Sequence, residues 1–317
     1  MTSDKRLEEL LDLVVSQGGS DLHIFAGGSP MIRVASTLIP ITKYPAFTSE
    51  ETEAILKSLV PSDRWEAFRE NQAIDLSYTH KSDSRFRING FYAQGTIALA
   101  LRLIPHALRT FTELNLPSIL ETFTQHKQGF FLVVGPVGQG KSTTLAAMID
   151  RINESRSEHI LTIEDPVEYL FAPKKSLIHQ REIYIDTPDF HTALQGAFRE
   201  DVDVIMVGEM RDYETISSAV TAAETGHLVL STLHTNNAAQ TIDRIIDMFP
   251  AEQQGQVRVQ LAGSLAGIFS QRLIPRISGG LIPACELLIN NSAVSTLIRD
   301  SRTHEISAVV QTSSQEG

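Results

Sequence analysis

The chain has 317 residues, of which 42% are hydrophobic and 21% are charged, and its formal net charge at pH 7 is −11. This size and composition predict a globular protein with two domains, or with one large α/β domain and an attachment. The negative charge argues against extended, sequence-independent nucleic-acid binding as the main activity, although it leaves room for a local basic groove. The single cysteine, Cys285, excludes intramolecular disulfides and a multi-cysteine zinc cluster.

Signals for membrane insertion or export are absent from the sequence. No apolar run approaches the roughly 18 residues that a membrane-spanning helix needs. The N-terminal residues MTSDKRLEE lack the apolar segment of a signal peptide. We therefore expect a cytosolic protein.

The first part of the chain predicts a small α+β domain over residues 1–105. Leucine and valine recur at helical spacing from Leu7 to Val15, and Thr48 with Glu51 forms the capping box of a second helix. Strands are predicted at 21–25, 31–34, 85–91 and 97–104. The polar residues 106–116 are interpreted as a linker, and the next unit is predicted to span residues 117–317.

The strongest signal is the stretch from Phe130 to Thr144, FFLVVGPVGQGKSTT. Its apolar start predicts a strand buried on both faces, and the residues after it fit G-x-x-x-x-G-K-[ST] at the start of a helix. Glycines let successive N–H groups surround a phosphate, Lys141 offers a charge to the β- and γ-phosphates, and Ser142 can ligate Mg²⁺. The predicted binding residues are Gly135, Pro136, Val137, Gly138, Gln139, Gly140, Lys141, Ser142 and Thr143. A chance match in a glycine-rich turn would lack the flanking strand and helix, so we predict a nucleoside triphosphate site.

Strand and helix patterns alternate from this stretch to Met248. Further strands are predicted at 159–163, 204–207 and 228–232, each followed by a helical pattern. This alternation predicts a mostly parallel sheet wrapped by helices. Beyond it we predict one long helix over Ala251–Gln271, a strand-like run over Leu281–Leu288 and a helix over Ser292–Arg299.

Acidic residues lie at the ends of two predicted strands. Glu164 and Asp165 follow the strand that starts at His159, and Glu209 follows the strand that ends at Val207. Ligands of parallel α/β sheets bind at the carboxyl ends of the strands. An acid there can hold Mg²⁺ through water or orient the attacking water, although a single acid at a strand end is also typical of a helix cap.

Two histidines flank the predicted strand 228–232. His234, beside Thr235 and Asn236, falls where a sensor of the γ-phosphate would lie, whereas His227 precedes the strand. A lone histidine is more often a structural residue, and no histidine pair has convincing metal-ligand spacing. The only metal we predict is Mg²⁺ bound with the nucleotide.

Three arginines of the first section are candidate arginine fingers. Arg85 and Arg87 share one face of a predicted strand, and Arg102 lies on the next predicted strand. Cations of this kind can stabilise the charge on a transferring phosphoryl group. The alternative is that they are ordinary solvated strand residues.

Four sequence blocks in a fixed order, GPVGQGKSTT, LTIEDPVEYL, VIMVGEMRD and GHLVLSTLHTN, resemble those of the secretion ATPase superfamily. Ser20–His23 and Ser84–Arg87 add to this resemblance, and within the superfamily the sequence looks most like the retraction ATPases of type IV pili. The resemblance implies a RecA-like P-loop NTPase domain with a smaller N-terminal PAS-like α+β domain. It also implies a ring hexamer that binds ATP between domains and neighbouring subunits.

The resemblance also implies roles for individual residues. Residues 135–142 would form the Walker A motif, and Glu164 would belong to the Asp box. Glu209 would be the Walker B glutamate, the general base or water-orienting group. His227 and His234 would belong to the His box, and Arg85, Arg87 and Arg102 would face phosphate.

The function implied is a homo-hexameric motor that hydrolyses ATP, with Mg²⁺, to retract type IV pili in twitching motility. Such a motor would be cytoplasmic and peripheral at the inner-membrane pilus base. Its partners would be an inner-membrane platform protein and, as further candidates, related retraction or assembly ATPases, with no nucleic acid expected. The alternatives are a pilus assembly or type II secretion ATPase, a regulatory paralogue with low turnover, and a DNA translocase or helicase.

Some positions depart from the family pattern. Gln139 replaces a usual serine, Val202 interrupts a usual Asp-Pro-Asp, and Tyr184 replaces a common glycine. The run Leu297–Asp300 only partly matches a motif of retraction ATPases, and we expect Leu297 and Ile298 to pack inward on a helix. A further helix or two would be expected after the last residues.

Overall fold

The computed structural model describes residues 3–35, 37–81, 84–104, 108–277 and 279–313. The chain divides into two compact units, Met1–Ala107 with Glu168–Leu170, and Leu108–Val167 with Phe171–Gly317. The predicted domain end at residue 105 and the first two residues of the predicted linker, 106 and 107, lie outside the described residues. Over the described part of the chain, no helix combines the length and apolar character that crossing a membrane requires.

The first unit is a six-stranded antiparallel sheet with helices packed on one face. Its helices are α1 (Ser3–Ser16), α2 (Ser49–Leu59) and α3 (Trp65–Asn71). Its strands are β1 (Asp21–Phe25), β2 (Met31–Val34), β3 (Thr37–Pro40), β4 (Ala73–His80), β5 (Ser84–Ala93) and β6 (Thr96–Ile104), in the order β3-β2-β1-β6-β5-β4. The predicted capping box of α2 is present, since Glu51 N–H donates to the Thr48 hydroxyl at 3.2 Å and Thr48 N–H donates to the Glu51 carboxylate at 2.9 Å.

The opposite face of this sheet carries the three candidate arginines. Alternation along β5 buries Phe86 and Ile88 toward the helices and leaves Arg85 and Arg87 on the polar face, as predicted. Directly opposed residues continue a charged row across the strands: Arg87 faces Arg102, and Arg102 faces Asp21. Arg102 Nε donates to Asp21 Oδ1 at 2.9 Å, so an acid already neutralises part of this positive row.

Asp21 makes the stability of the first unit depend on pH. Burial alone raises the pKa of its carboxyl group, but hydrogen bonds from Arg102 and Ser20 outweigh burial and leave the pKa below its ordinary value of 3.8. A folded-state pKa below the unfolded one contributes stability above the unfolded pKa, and that stability is lost as pH falls through the folded pKa. We therefore expect Asp21→Asn to lower the Tm more at pH 7 than at pH 3.

Thermal unfolding between pH 3 and pH 7 measures this difference. Asp63→Asn, a change at an exposed aspartate of the same unit, is the control and should leave the Tm nearly unchanged throughout. An equal loss of Tm at both ends of the pH range would mean that Asp21 contributes through packing rather than charge.

The second unit is an α/β fold built on a seven-stranded sheet in the order β13-β12-β7-β11-β10-β8-β9. All neighbours pair in parallel except β12 and β13, which are antiparallel. Its strands are β7 (Gly129–Val134), β8 (His159–Glu164), β9 (Leu177–Glu182), β10 (Val204–Val207), β11 (Leu228–Leu233), β12 (Leu265–Pro275) and β13 (Leu281–Ile289). Its helices are α4 (Phe111–Leu114), α5 (Leu120–Phe123), α6 (Lys141–Ser155), α7 (Phe190–Ala197), α8 (Tyr213–Glu224), α9 (Ala238–Asp247), α10 (Ala251–Ser264), α11 (Ser292–Arg299) and α12 (Ile306–Thr312).

The predicted parallel α/β sheet is therefore confirmed, while the PAS-like character of the first unit stays a prediction. Strands β7, β10 and β11 are buried along their whole length, as their continuous apolar runs predicted. Leu297 and Ile298 of α11 pack inward as expected, with 8% and 0% of their surface exposed.

The predicted long helix over Ala251–Gln271 is wrong. Helix α10 ends at Ser264, and Leu265 begins strand β12, which pairs with β7. No proline separates the two elements in the sequence, and periodicity alone cannot tell a short buried strand from a buried helix. Residues from Leu265 form a strand because pairing with β7 buries Ile268 and Phe269 completely.

Candidate nucleotide-binding site

The order of the strands places four predicted site segments along one edge of the sheet. Strands β7, β11, β10 and β8 are consecutive neighbours and run in parallel. Their carboxyl ends therefore lie side by side. The glycine-rich loop follows β7, His234 follows β11, Glu209 follows β10, and Glu164 ends β8.

The glycine-rich loop turns tightly between β7 and α6. Gly135 has a φ of 149°, and a side-chain carbon at this position would collide with the backbone oxygen of Gln271. Glycine is therefore required where the loop leaves the strand. The loop leads into the N-terminus of α6, whose first N–H groups and helix dipole favour an anion.

Lys141 is the first residue of α6, and its side chain points back into the loop. The residue is 7% exposed, and its ammonium group donates to the carbonyl oxygens of Gly135 and Pro136 at 2.8 and 2.9 Å. Ser142 follows on the exposed side of the helix. A buried cation held over the loop and an accessible hydroxyl beside it suit a bound phosphate and its metal ion.

His234 lies between Lys141 and Glu209, the glutamate that follows β10. Its Nδ1 lies 3.1 Å from the Lys141 ammonium, and its Nε2 lies 3.7 Å from Glu209 Oε2. An ammonium group can only donate, so Nδ1 accepts this hydrogen bond and Nε2 carries the ring proton toward Glu209. The structure thus brings three predicted residues, Lys141, His234 and Glu209, into one polar chain.

Glu209 is held at the end of β10 by neighbouring groups. Arg211 Nη2 lies 2.5 Å from Glu209 Oε1, and 15% of the glutamate side chain is exposed. The preceding residue, Gly208, donates its N–H to Ile163 O and accepts from the Thr232 hydroxyl at 2.7 Å. These contacts orient the carboxylate while leaving part of it accessible to water.

Glu164 is a second carboxylate at the carboxyl ends of the strands, and unlike Glu209 it is buried. It is 6% exposed, accepts the Thr162 hydroxyl at 2.7 Å, and lies 3.4 Å from the Gln180 amide nitrogen. The hydrogen bonds hold one of its oxygens, Oε1, in place. Among the described residues no group of three histidine, cysteine or acidic side chains is arranged to hold a metal ion.

His227 does not lie near the glycine-rich loop of its own chain, residues 135–143, which is the candidate phosphate loop. It precedes β11, so the whole strand, about 20 Å long, separates it from His234. Its Nδ1 pairs with Ala222 O at 3.0 Å at the end of α8, and its ring packs edge-on against Phe198. Within its own chain, His227 therefore makes the contacts of a structural residue, the alternative that we gave for a lone histidine.

Two glutamines of the site were missed by the sequence analysis. Gln180 on β9 contacts Glu164, and Gln271 on β12 contacts the phosphate loop. Both come from strands that were not predicted there, and neither lies in a recognised motif. The signal that could have indicated Gln271 is that a polar residue ends the otherwise mostly apolar run 265–271.

The chain is similar to proteins of type II and type IV secretion systems, and to pilus retraction proteins among them. The family described as "Type II/IV secretion system protein" matches residues 4–313. The "Type IV pilus retractation ATPase PilT" of Pseudomonas aeruginosa is 43% identical over 311 residues, which cover 98% of this chain and 90% of that protein. The "Twitching motility protein" of Neisseria gonorrhoeae is 45% identical over 290 residues, 91% of this chain and 77% of that protein. The crystal structure of the pilus retraction motor PilT with bound ADP has a TM-score of 0.90 at 46% identity, covering 96% of this chain and 89% of that one.

Proposed function

We propose that this chain, which belongs to the type II/IV secretion system protein family, is a motor ATPase that hydrolyses ATP to retract type IV pili. The observation that supports ATP hydrolysis is the polar contact of His234 with both Lys141 and Glu209 at the carboxyl ends of the parallel strands. The observation that supports pilus retraction is the similarity to PilT over nearly the whole chain.

The phosphates of ATP would bind to the loop residues 135–143. Lys141 would exchange its bonds to the loop carbonyls for bonds to phosphate oxygens, since a charged acceptor makes the stronger hydrogen bond. Ser142 would hold Mg²⁺ directly and Glu164 would hold it through water. The ion would neutralise charge on the phosphate oxygens.

Glu209 would orient the attacking water and accept its proton. A carboxylate in this role needs to be fixed but accessible, and the Arg211 pair together with partial exposure meets both needs. His234 would sense the γ-phosphate, because its ring contacts Lys141 on one side and faces Glu209 on the other.

The working form would be a homo-hexamer in the cytoplasm, bound to a platform protein at the inner-membrane pilus base. His227 lies far from the phosphate loop of its own chain, so any contact that it makes in the hexamer would not be with that loop. Arg85, Arg87 and Arg102 would act on a nucleotide held by the ATPase unit, and their placement on one face of the sheet supports this role.

Arg87→Ala is expected to lower kcat for ATP at least about tenfold while the Kd for MgATP stays within about threefold. The guanidinium suits the charge on the transferring phosphoryl oxygens, which is greatest in the transition state. Steady-state phosphate release and equilibrium titration measure the two quantities. Arg69→Ala, an exposed change on α3, is the control. Equal losses in kcat and affinity would assign Arg87 to ground-state binding.

The proposed activity is tested by phosphate release from ATP by the purified chain with and without Mg²⁺. We expect turnover that depends on Mg²⁺ and does not change when DNA is added. Turnover that requires DNA would favour a translocase or helicase. Tight nucleotide binding without turnover would favour a regulatory paralogue.

A further inference from the structure

Strand β12 continues past the end of β7 to the level of the phosphate loop. Ser270 is the register partner of Val134, the last residue of β7, so Gln271 lies level with Gly135. Gln271 is 3% exposed, and its backbone oxygen is the atom that a side chain at Gly135 would strike. A buried polar side chain therefore stands directly against the loop.

The side chain of Gln271 binds the loop and the helix that follows it. Its amide nitrogen donates to the carbonyl oxygen of Gln139 at 2.6 Å, and its amide oxygen accepts the hydroxyl of Thr144 at 2.7 Å. Thr144 lies in the first turn of α6. One amide thus connects the two elements that surround a bound phosphate, the loop backbone and the helix N-terminus.

Gln139 is held at a second point on β12. Its side-chain oxygen accepts the backbone N–H of Leu273 at 2.7 Å, in addition to the bond from Gln271 to its carbonyl group. A carbon added at Gly140 would lie 3.0 Å from the Gln271 amide nitrogen, so the amide also packs closely against the end of the loop. Two hydrogen bonds therefore attach Gln139 to β12, one through its backbone and one through its side chain.

Glutamine suits this position because it supplies a donor and an acceptor from one group. A glutamate would lack the donor for Gln139 O, and an apolar residue would leave that carbonyl and the Thr144 hydroxyl without their bond. Holding the loop in its binding conformation before the ligand arrives reduces the entropy that binding must remove.

We propose that Gln271 is a positioning residue that pre-orders the phosphate loop, acting through Gln139 and Thr144 on nucleotide affinity. The inference rests on the proposed ATPase function. Gln271 does not contact the phosphates in this scheme. Its effect is on the loop backbone and α6, which bind the nucleotide in the ground state and the transition state alike, so affinity should change more than kcat.

The test is Gln271→Met in the full-length chain, which keeps the length of the side chain and removes both hydrogen bonds. We expect the Kd for MgADP, measured by calorimetric titration, to rise about tenfold, and kcat at saturating MgATP to stay within about threefold. The matched control is Gln260→Met on α10, whose amide bonds Glu224 instead. Its Kd for MgADP should equal that of the wild type.

Thr144→Val separates positioning from general stability. Alone it should raise the Kd for MgADP severalfold, and in the Gln271→Met background it should add less than its separate effect, because both changes break one link. If Gln271→Met does not fold, Thr144→Val and Gln139→Ser, which shortens the acceptor for Leu273 N–H, still report on the loop.

Variants that lower the Tm but bind MgADP as the wild type does would overturn the positioning role and leave Gln271 as a structural residue. Fully additive effects of Thr144→Val and Gln271→Met would also contradict it. A wild-type chain that binds neither MgADP nor MgATP would instead refute the proposed ATPase function, so the two failures are distinguishable.

Discussion

Lys141→Ala is expected to lower the affinity for MgATP about tenfold to a hundredfold and turnover at least about a hundredfold. The ammonium is a buried positive charge directed into the phosphate loop, and hydrogen bonds between charged groups are the strong ones. Alanine removes the charge and also the bond to His234. Fluorescent nucleotide titration and phosphate release measure the two losses.

Lys127→Ala is the matched control for this change. Lys127 is exposed and precedes β7, so it lies at the other end of the strand that carries the phosphate loop. It should bind and hydrolyse ATP as the wild type does. Normal turnover by Lys141→Ala, with a folded protein, would refute the assignment of the site.

Glu209→Gln should separate binding from chemistry more completely than any other single change. The amide keeps the shape of the carboxylate but cannot accept a proton or carry charge, so turnover should fall about a hundredfold to ten-thousandfold. The Kd for MgATP should stay within about threefold, because the phosphates are bound mainly by the loop. Single-turnover hydrolysis and equilibrium titration provide the comparison.

Glu214→Gln, an exposed change in the first turn of α8, controls for loss of one negative charge near this strand end. We expect wild-type hydrolysis from it. A parallel fall of affinity and turnover in Glu209→Gln would make Glu209 a binding group, and the water-orienting role would then belong to another residue of the edge.

Local patterns were sufficient to predict the phosphate loop. The strand, the loop and the helix from Gly129 to Ser155 are consecutive in sequence, and the required glycines and the lysine are part of one motif. The alternation of strands and helices likewise predicted a parallel sheet. Both signals depend on neighbouring residues, so one sequence contains them completely.

Non-local pairing explains what could not be predicted. His234 meets both Lys141 and Glu209 because β11 lies between β7 and β10, an order that the chain does not follow. Gln271 reaches the loop only because residues 265–275 add a strand beside β7, where the local pattern favoured a helix. His227 and His234 are close in sequence, but an extended strand carries them to opposite ends of the sheet.

The central claim, that this ATPase retracts pili, is tested most directly by pilus retraction in a strain that lacks the gene. Labelled pili on single cells would be followed by microscopy, with the wild-type gene or the Glu209→Gln variant returned at equal protein level. We expect cells without the gene, or with Glu209→Gln alone, to extend pili that do not retract, and the wild-type gene to restore retraction. Cells without pili in the deletion strain would indicate an assembly motor instead, and unchanged retraction would contradict the claim.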